Sequence, residues 1–264
     1  SAKLTTSGRG CPHNSGGGAG QPPQSSASIK GGGGGGFGGD GGDGSMSTMG
    51  GSSYSRMSRF TFSYGSGGGA IVEMSSNDES SLQQLYNNSA GGGLIVLSSE
   101  GTIRNDGDVF ADGASAGHSA SNNVNGGGGS GGMILLQTSD LQGNGNFSIS
   151  GGDGGYAGGG GGGGGRFEVD IFGDSASYTF TGRVKRSGGD INTNTFVDND
   201  GNVYPQMGVD GTVLYPLCPE GRGNNFSALE FCKECDVDEV CPIGMNCLML
   251  NSLIYFLPLE LLVF

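Results

Sequence analysis

The six cysteines are the residues of this chain whose spacing most clearly predicts chemistry. Five of them follow the pattern C-x13-C-x2-C-x5-C-x5-C near the C-terminal end, with no histidine nearby. Because such a segment has almost no apolar core, we expect disulfides to hold it together, with a zinc cluster as the alternative. The odd thiol pairs either with the remote sixth cysteine or with another subunit. The disulfide candidates are Cys11, Cys218, Cys232, Cys235, Cys241 and Cys247.

Catalytic groups do not form a recognisable motif. His13 and His118 lie in polar insertions, with no serine or cysteine at the spacing of a triad. Enzymes built on parallel β-helices need carboxylates clustered with Lys or Arg on one face. The candidates for such a cluster are Glu168, Asp170 and Lys185 or Arg186. An exposed polar strand explains them better, so we predict no catalytic residue and no enzyme, with a polysaccharide-active enzyme as the least favoured alternative.

Two acidic loops resemble calcium-binding sequences in part. The segment GGDGGDG, residues 38–44, is a single unit, whereas glycine-rich calcium sites need stacked copies. The segment VDNDGNVY, residues 197–204, lacks the distal Glu of an EF-hand loop, and a hairpin turn accounts for it better. We predict no metal site and no cofactor, and calcium binding stays the alternative.

The charge balance and the glycosylation sequons predict the cellular location of the chain and the partners that it does not bind. Its net charge is −13, from 25 acidic and 12 basic residues. This balance leaves no basic stripe for nucleic acid and disfavours an anionic membrane surface. Three N-x-[ST] sequons beside dense cysteines predict an extracellular or cell-surface glycoprotein. The N-glycosylation candidates are Asn87, Asn146 and Asn225.

One pattern recurs along the chain and decides the architecture. GGGLIVLSSEGTIRNDGDVFADG, residues 91–113, aligns with SGGMILLQTSDLQGNGNFSISGG, residues 130–152. Leu94 falls on Met133 at an offset of 39 residues, and later positions align at an offset of 38. Each copy contains an apolar strand, a short polar turn and a second strand whose apolar positions bracket a glycine.

The same pattern continues on both sides of these two copies. Residues 166–190 supply a third copy, in which Val184 falls on Phe147. Residues 1–8 resemble the second half of a copy, so we expect either that the N terminus is processed or that the chain begins upstream. Short strands that recur in this way cannot bury their apolar faces alone and must stack on one another.

We therefore predict an all-β fold, a right-handed parallel β-helix (solenoid) with glycine-rich insertions and a small disulfide-rich C-terminal module. The predicted buried residues are Ile71, Val72, Leu94, Val96, Ile103, Val109, Met133, Leu135, Leu141, Phe147, Ile149, Phe167, Val169, Ile171, Phe180 and Val184.

Glycine accounts for 60 of the 264 residues and occurs in runs rather than at every third position, which rules out collagen. Polyglycine left in solvent is flexible. However, the runs precede Ala70, Leu94, Met133 and Phe167, which are equivalent points of successive copies. This placement favours a second interpretation, in which the runs stack into a layer beside the β-helix. Both interpretations stay open at this point.

We divide the chain into four segments. Residues 1–190 carry the repeats, 191–217 form a hairpin cap or linker, 218–247 form the cysteine-rich module, and 248–264 form an apolar tail. NDG and DG turns predict one or two hairpins within residues 195–217. The tail, LMLNSLIYFLPLELLVF, is either a membrane contact or a packed interface segment.

The segment SGGMILLQTSDLQGNGNFSISGGDGGYAGGGGGGGGRFEVDIF resembles the glycine-rich parallel β-helix repeats of large protist-type cell-surface and fibre proteins. The segment CPEGRGNNF…FCKEC resembles the opening of ephrin-receptor-like cysteine-rich modules, although its second CPxG unit appears only as Cys241-Pro242-Ile243-Gly244. The resemblance implies an extracellular structural or adhesive role and no catalytic residue.

These observations predict a structural, non-catalytic subunit of an extracellular filament, surface hair or matrix, which self-associates and carries covalent glycans. The alternative is a surface adhesin or glycan-binding β-helix. No nucleic-acid partner is expected, and membrane contact is expected only through the C-terminal tail.

Overall fold

The structure, a computed structural model, describes residues 2–23, 30–45, 48–54, 63–70, 89–116, 124–156, 158–172, 177–191, 196–197, 203–214, 222–223 and 233–234. This part of the chain is all-β, with parallel sheets and almost no helix. Its strands are β1 (Lys3–Thr5), β2 (Lys30–Gly31), β3 (Leu94–Ser98), β4 (Thr102–Arg104), β5 (Asp108–Phe110), β6 (Val124–Asn125), β7 (Met133–Thr138), β8 (Asp140–Gln142), β9 (Asn146–Ser148), β10 (Arg166–Ile171), β11 (Ser177–Tyr178), β12 (Arg183–Lys185), β13 (Phe196–Val197), β14 (Val203–Tyr204), β15 (Thr212–Leu214), β16 (Arg222–Gly223) and β17 (Lys233–Glu234).

Strands from successive repeats lie beside one another in three parallel sheets. The first sheet has the order β1-β5-β9-β12, the second β15-β10-β7-β3 and the third β11-β8-β4. The predicted register is confirmed, because Leu94 pairs with Met133 and both Val109 and Val184 pair with Phe147. Leu4 pairs with Val109, so the first residues belong to the same series.

Each complete repeat contributes three strands rather than the two that the pattern predicts. In the first repeat a turn separates β4 from β5, where the Asn105 side-chain oxygen accepts the Gly107 N–H at 3.0 Å. An Asn that bonds to the backbone two residues later forms a local turn, which ends one strand and redirects the next. Gly143, at the same point of the following repeat, has a φ of 109°. The predicted second strand is therefore divided at its central polar residues.

The main core lies between the three sheets. Phe147 is fully buried, and its ring centroid lies 5.0 Å from that of Phe167 and 5.2 Å from that of Phe180. The buried members of this core are Ile95, Ile103, Val109, Ala111, Ile134, Leu136, Leu141, Phe147, Ile149, Phe167, Val169, Phe180 and Val213, with Leu97, Ile171, Tyr178 and Val184 partly buried against them.

The prediction of buried residues on β3 and β7 is right in part. Met133 and Leu135 are buried as predicted and Leu94 is partly buried, whereas the prediction for Val96 is wrong. The prediction omitted Ile95, Leu97, Ile134 and Leu136, which belong to the main core. Because β7 is apolar on both faces, its sequence has no alternation that could identify the inner face.

The other face of the second sheet carries a smaller core. Met133 and Leu135 are buried there with Phe37, and Leu94 and Tyr54 pack against them. Val96 is 37% exposed and belongs to neither core.

The segment after the repeats forms one of the predicted hairpins. β13 and β14 pair in antiparallel fashion. The sequence left open a second hairpin, and among the described residues β15 pairs instead in parallel with β10 and extends the second sheet. β16 and β17 make an antiparallel pair within the cysteine-rich segment. Ile71, Val72 and the tail 248–264 lie outside the described residues.

Candidate functional site

The glycine runs form an ordered body beside the sheets, which we call the glycine bundle. It comprises residues 10–21, 31–44, 48–52, 63–70, 89–93, 111–116, 126–132, 149–155, 158–165, 187–190 and 205–211. Backbone hydrogen bonds join these segments across the bundle, and the runs 127–132 and 158–165 are buried throughout. Of the two interpretations of the glycine runs, the packed layer is confirmed and the flexible loop is wrong.

The run 126–132 shows how the bundle is bonded. Its N–H groups donate to three different segments in turn and then repeat the same order. The pairs are Gly127 to Gly69 at 2.9 Å, Gly128 to Gly160 at 2.9 Å, Gly129 to Ala114 at 3.0 Å, Ser130 to Ser66 at 2.9 Å, Gly131 to Gly163 at 2.9 Å and Gly132 to Ala111 at 2.6 Å. A three-residue repeat without bonds inside the run is typical of an extended polyproline II helix.

The run 158–165 has the same three-residue repeat and is surrounded on all sides. Gly160 and Gly163 donate to residues 32 and 35, Gly161 and Gly164 to residues 206 and 209, and Gly162 and Gly165 to residues 152 and 149. The run also accepts from Gly42, in the returning half of the segment 31–44, and from two other segments, through Gly131 and Gly189. If the two halves of the segment 31–44 are counted separately, the run has six hydrogen-bonded neighbours.

Glycine is required in this arrangement because backbone atoms occupy the space of a side chain. A Cβ added at Gly162 would overlap the carbonyl oxygen of Gly129, and one added at Gly128 would overlap that of Gly152. In contrast, a Cβ at Gly101, in the turn between β3 and β4, would have only the Ser99 hydroxyl at 3.8 Å. The inner glycines thus allow neighbouring segments to approach within hydrogen-bond distance.

An aromatic cluster attaches the bundle to the second sheet. The Phe37 ring lies 5.1 Å from the Tyr54 ring, and the Arg166 guanidinium lies 5.2 Å from the Phe37 centroid. Arg166 also donates to the carbonyl oxygens of Phe37, at 3.4 Å, and of Tyr54. The Tyr54 hydroxyl donates to the Tyr64 carbonyl at 2.8 Å and accepts from the Ser66 hydroxyl at 3.2 Å.

Burial raises the pKa of Tyr54, since the phenolate would lose its hydration there. The hydrogen bond with Ser66 and the positive charge of Arg166 oppose this effect. No sequence pattern identified this cluster. The one signal is Phe37 itself, an isolated aromatic residue inside a glycine run.

Aspartates complete the hydrogen bonding at the rim of the bundle. The Asp153 carboxylate accepts the N–H of Asp190 at 2.9 Å, and that of Asp112 accepts the N–H of Ser150 at 2.7 Å. In the segment 38–44, Asp43 accepts the N–H of Gly50 at 2.7 Å, and Asp40 accepts the N–H of Ser53. In the acidic loop that resembles a calcium sequence, one oxygen of each carboxylate therefore accepts a backbone N–H from residues 50–53, which lie outside the loop.

The predicted enzymatic cluster is divided between two sheets. Glu168 and Asp170 lie on β10 in the second sheet, whereas Lys185 lies on β12 in the first. Arg186 donates to the carbonyl oxygen of Gly211 at 2.8 Å, so its side chain bonds to the glycine bundle. Among the residues that the structure describes, no group of three His, Cys, Asp or Glu could hold a metal ion.

The remaining predicted site residues lie apart from one another. Cys11 is buried and disulfide-bonded. Asn146 is exposed on β9, where its amide donates to the Asp108 carboxylate at 2.9 Å. His13 lies in the segment 10–21 of the bundle. The candidates outside the described residues are Asn87, Asn225, His118, Cys218, Cys232, Cys235, Cys241 and Cys247.

Within the described ranges, no helix is both long enough and apolar enough to cross a lipid bilayer. Comparison of the chain with protein-family models, curated proteins and solved structures finds no match in any of the three.

Proposed function

We propose that this chain is a non-catalytic structural subunit of an extracellular filament, surface hair or matrix. In this proposal the three parallel sheets form a right-handed parallel β-helix, and the glycine bundle lies along its side. The subunits associate end to end, and the cysteine-rich module, glycans and tail serve attachment at the cell surface or contact between subunits.

The observation that carries the proposal is that successive repeats extend both the three parallel sheets and the glycine bundle in the same way. Each complete repeat adds one strand to each of the three sheets and further segments to the bundle, and the paired strands of successive repeats lie 33 to 39 residues apart in the sequence. A body built in this way has different surfaces at its two ends. Contact between unlike ends is heterologous, and it generates open filaments when the rotation does not close.

The composition of the glycine bundle also supports a structural role. A bundle of bare backbone presents few side chains that could act on a substrate, yet its hydrogen bonds fix the extended segments in place. The buried disulfide at Cys11 and the exposed sequon at Asn146 suit an oxidising, extracellular setting.

Electron microscopy of the purified full chain in negative stain tests the proposal. We expect filaments with a regular axial repeat, whose layers follow the strand spacing of about 4.8 Å in fibre diffraction. A preparation that stays monomeric and monodisperse over the whole concentration range would reject a filament subunit and favour the monomeric adhesin.

A further inference from the structure

Cys11 has a fixed position inside the glycine bundle. Its N–H donates to the carbonyl oxygen of Gly65, and its own carbonyl oxygen accepts the N–H of Gly91, both at 2.9 Å. Gly10, beside it, donates to the carbonyl oxygen of Gly91 at 2.7 Å. The Cys11 side chain is fully buried, and its sulfur is bonded in a disulfide. The backbone bonds on both sides therefore hold one end of this disulfide at a defined point of the bundle.

The sequence leaves few partners for this sulfur. The other five cysteines all lie within residues 218–247, the cysteine-rich module. Because the Cys11 side chain has no exposed surface, a cysteine of another subunit cannot reach it from the solvent. Once one module cysteine has bonded to Cys11, four remain, and an even number can pair completely within the module.

The second sheet shows how far such a bond must reach. Gly91 belongs to the run that leads directly into β3, the strand at one end of this sheet. β15, the last strand of the sheet before the module, lies at the other end. Three strand intervals, or about 14 Å, separate β3 from β15. Since a disulfide joins Cα atoms only about 6 Å apart, a bond to Cys11 requires the chain to turn back after β15.

We propose that Cys11 forms an intramolecular disulfide with a cysteine of the cysteine-rich module, and that this bond holds the module beside the glycine bundle. The other four module cysteines form two further disulfides with one another. The chain then has no free thiol, and no cysteine bonds to another subunit. The bond is independent of the proposed filament function.

This disulfide would close a loop that contains every complete repeat. Each candidate partner lies more than 200 residues from Cys11 in the sequence. A cross-link stabilises a fold by restricting the unfolded chain, and the restriction grows with the length of the closed loop. We therefore expect Cys11→Ser to lower the midpoint of thermal unfolding by about 5 °C or more.

Peptide mapping of the full wild-type chain, alkylated and digested without reduction, tests the bond directly. Trypsin cuts after Arg9 and Lys30, which releases Cys11 in a short peptide. It also cuts after Arg222 and Lys233, which divides the module among three peptides. We expect to recover the Cys11 peptide only in covalent linkage with a module peptide. The unreduced chain should migrate as a monomer on a denaturing gel.

The count of free thiols in denaturant gives a second measurement. The wild type should have none, and Cys11→Ser should release one thiol per chain, because the partner cysteine loses its bond. Ala111→Gly is the matched control, since it removes a buried methyl group from the same bundle and changes no cysteine. It should leave the count at zero.

The map of the wild type decides the question even when Cys11→Ser does not fold. A Cys11 peptide recovered without a partner, or linked to a second Cys11 peptide, would overturn the proposed bond. Linkage to a module peptide in a chain that migrates as a disulfide-linked dimer would overturn its intramolecular character. An intramolecular bond in a chain that never forms filaments would support the disulfide and reject the proposed function.

Discussion

At the level of single residues, glycine has two separate roles in this chain, and a pair of substitutions separates them. Gly162 lies inside the bundle with a carbonyl oxygen in the place of a side chain, whereas Gly101 lies in an exposed turn with room for a methyl group. We expect Gly162→Ala to lower the free energy of unfolding by about 3 kcal/mol, through overpacking and lost backbone bonds.

The matched substitution Gly101→Ala should change the free energy of unfolding by less than about 0.5 kcal/mol. Urea titration followed by circular dichroism compares the two variants with the wild type. Equal effects of the two substitutions would contradict the close packing of the bundle.

Tyr54 gives a prediction that depends on pH. Burial raises its pKa in the folded state, so the folded chain holds this proton more tightly than the unfolded chain does. The resulting stability is fully present below the unfolded pKa, about 10, and is lost as the pH rises through the folded value. The free energy of unfolding should therefore decline above about pH 10.

Tyr54→Phe is the control, because it removes the titrating group and should flatten this part of the pH profile. Absorbance of tyrosinate in the two proteins identifies the late-titrating phenol. A wild-type spectrum in which every tyrosine ionises at the ordinary pH would contradict the burial of this hydroxyl.

The sequence predicts some residue positions well and others poorly, for physical reasons. Phe147 lies between the polar residues Asn146 and Ser148, so alternation identifies it as buried, and the structure agrees. Ile134 and Leu136 belong to an uninterrupted apolar run, where alternation cannot distinguish the two faces, and the prediction omitted them from the buried residues. Phe37 is fully buried, but no periodicity surrounds it that could indicate a core.

At the level of elements, the main core depends on aromatic stacking between repeats. Phe147 on β9 lies within 5.2 Å of the ring centroids of Phe167 and Phe180, which belong to the following repeat. Phe147→Ala should lower the free energy of unfolding by about 4 kcal/mol, because it leaves a cavity shared by two repeats.

Tyr156→Ala provides the comparison for this substitution, since Tyr156 is an aromatic residue that is 53% exposed. Its effect should be much smaller than that of the core substitution when both are measured by urea titration. A loss at position 147 no larger than the loss at position 156 would contradict a core shared between successive repeats.

The boundaries of the elements were harder to predict than their order. The offsets of 38 and 39 residues identify which strands are neighbours, because a parallel stack must repeat in register. The division of each repeat into three strands depends on a side-chain bond at Asn105, and hydrophobic spacing carries no information about such a bond.

At the level of the whole molecule, two kinds of packing lie side by side. The sheets bury side chains, and the bundle buries backbone. The equivalent placement of the glycine runs predicted a layer, but the six-neighbour arrangement requires segments from distant parts of the chain, such as residues 31–44, to enter between the runs. No local sequence pattern specifies that route.

The filament proposal is also tested at this scale by seeding. Short wild-type filament fragments should elongate when wild-type monomers are added, because a heterologous contact leaves an open end that accepts further subunits. Length distributions from electron micrographs measure the effect, and fragments that keep their length in the presence of monomers would contradict the proposal.

The extended state of the glycine runs also has a mechanical consequence. A polyproline II segment already spans about 3.1 Å per residue, close to the limit of about 3.3–3.6 Å for a fully extended chain. Such a segment can therefore lengthen very little under tension. Sliding it past its neighbours would break a whole row of backbone hydrogen bonds at once. The bundle would therefore resist stretching along the direction of its runs, without the extra length that a coiled helix can release.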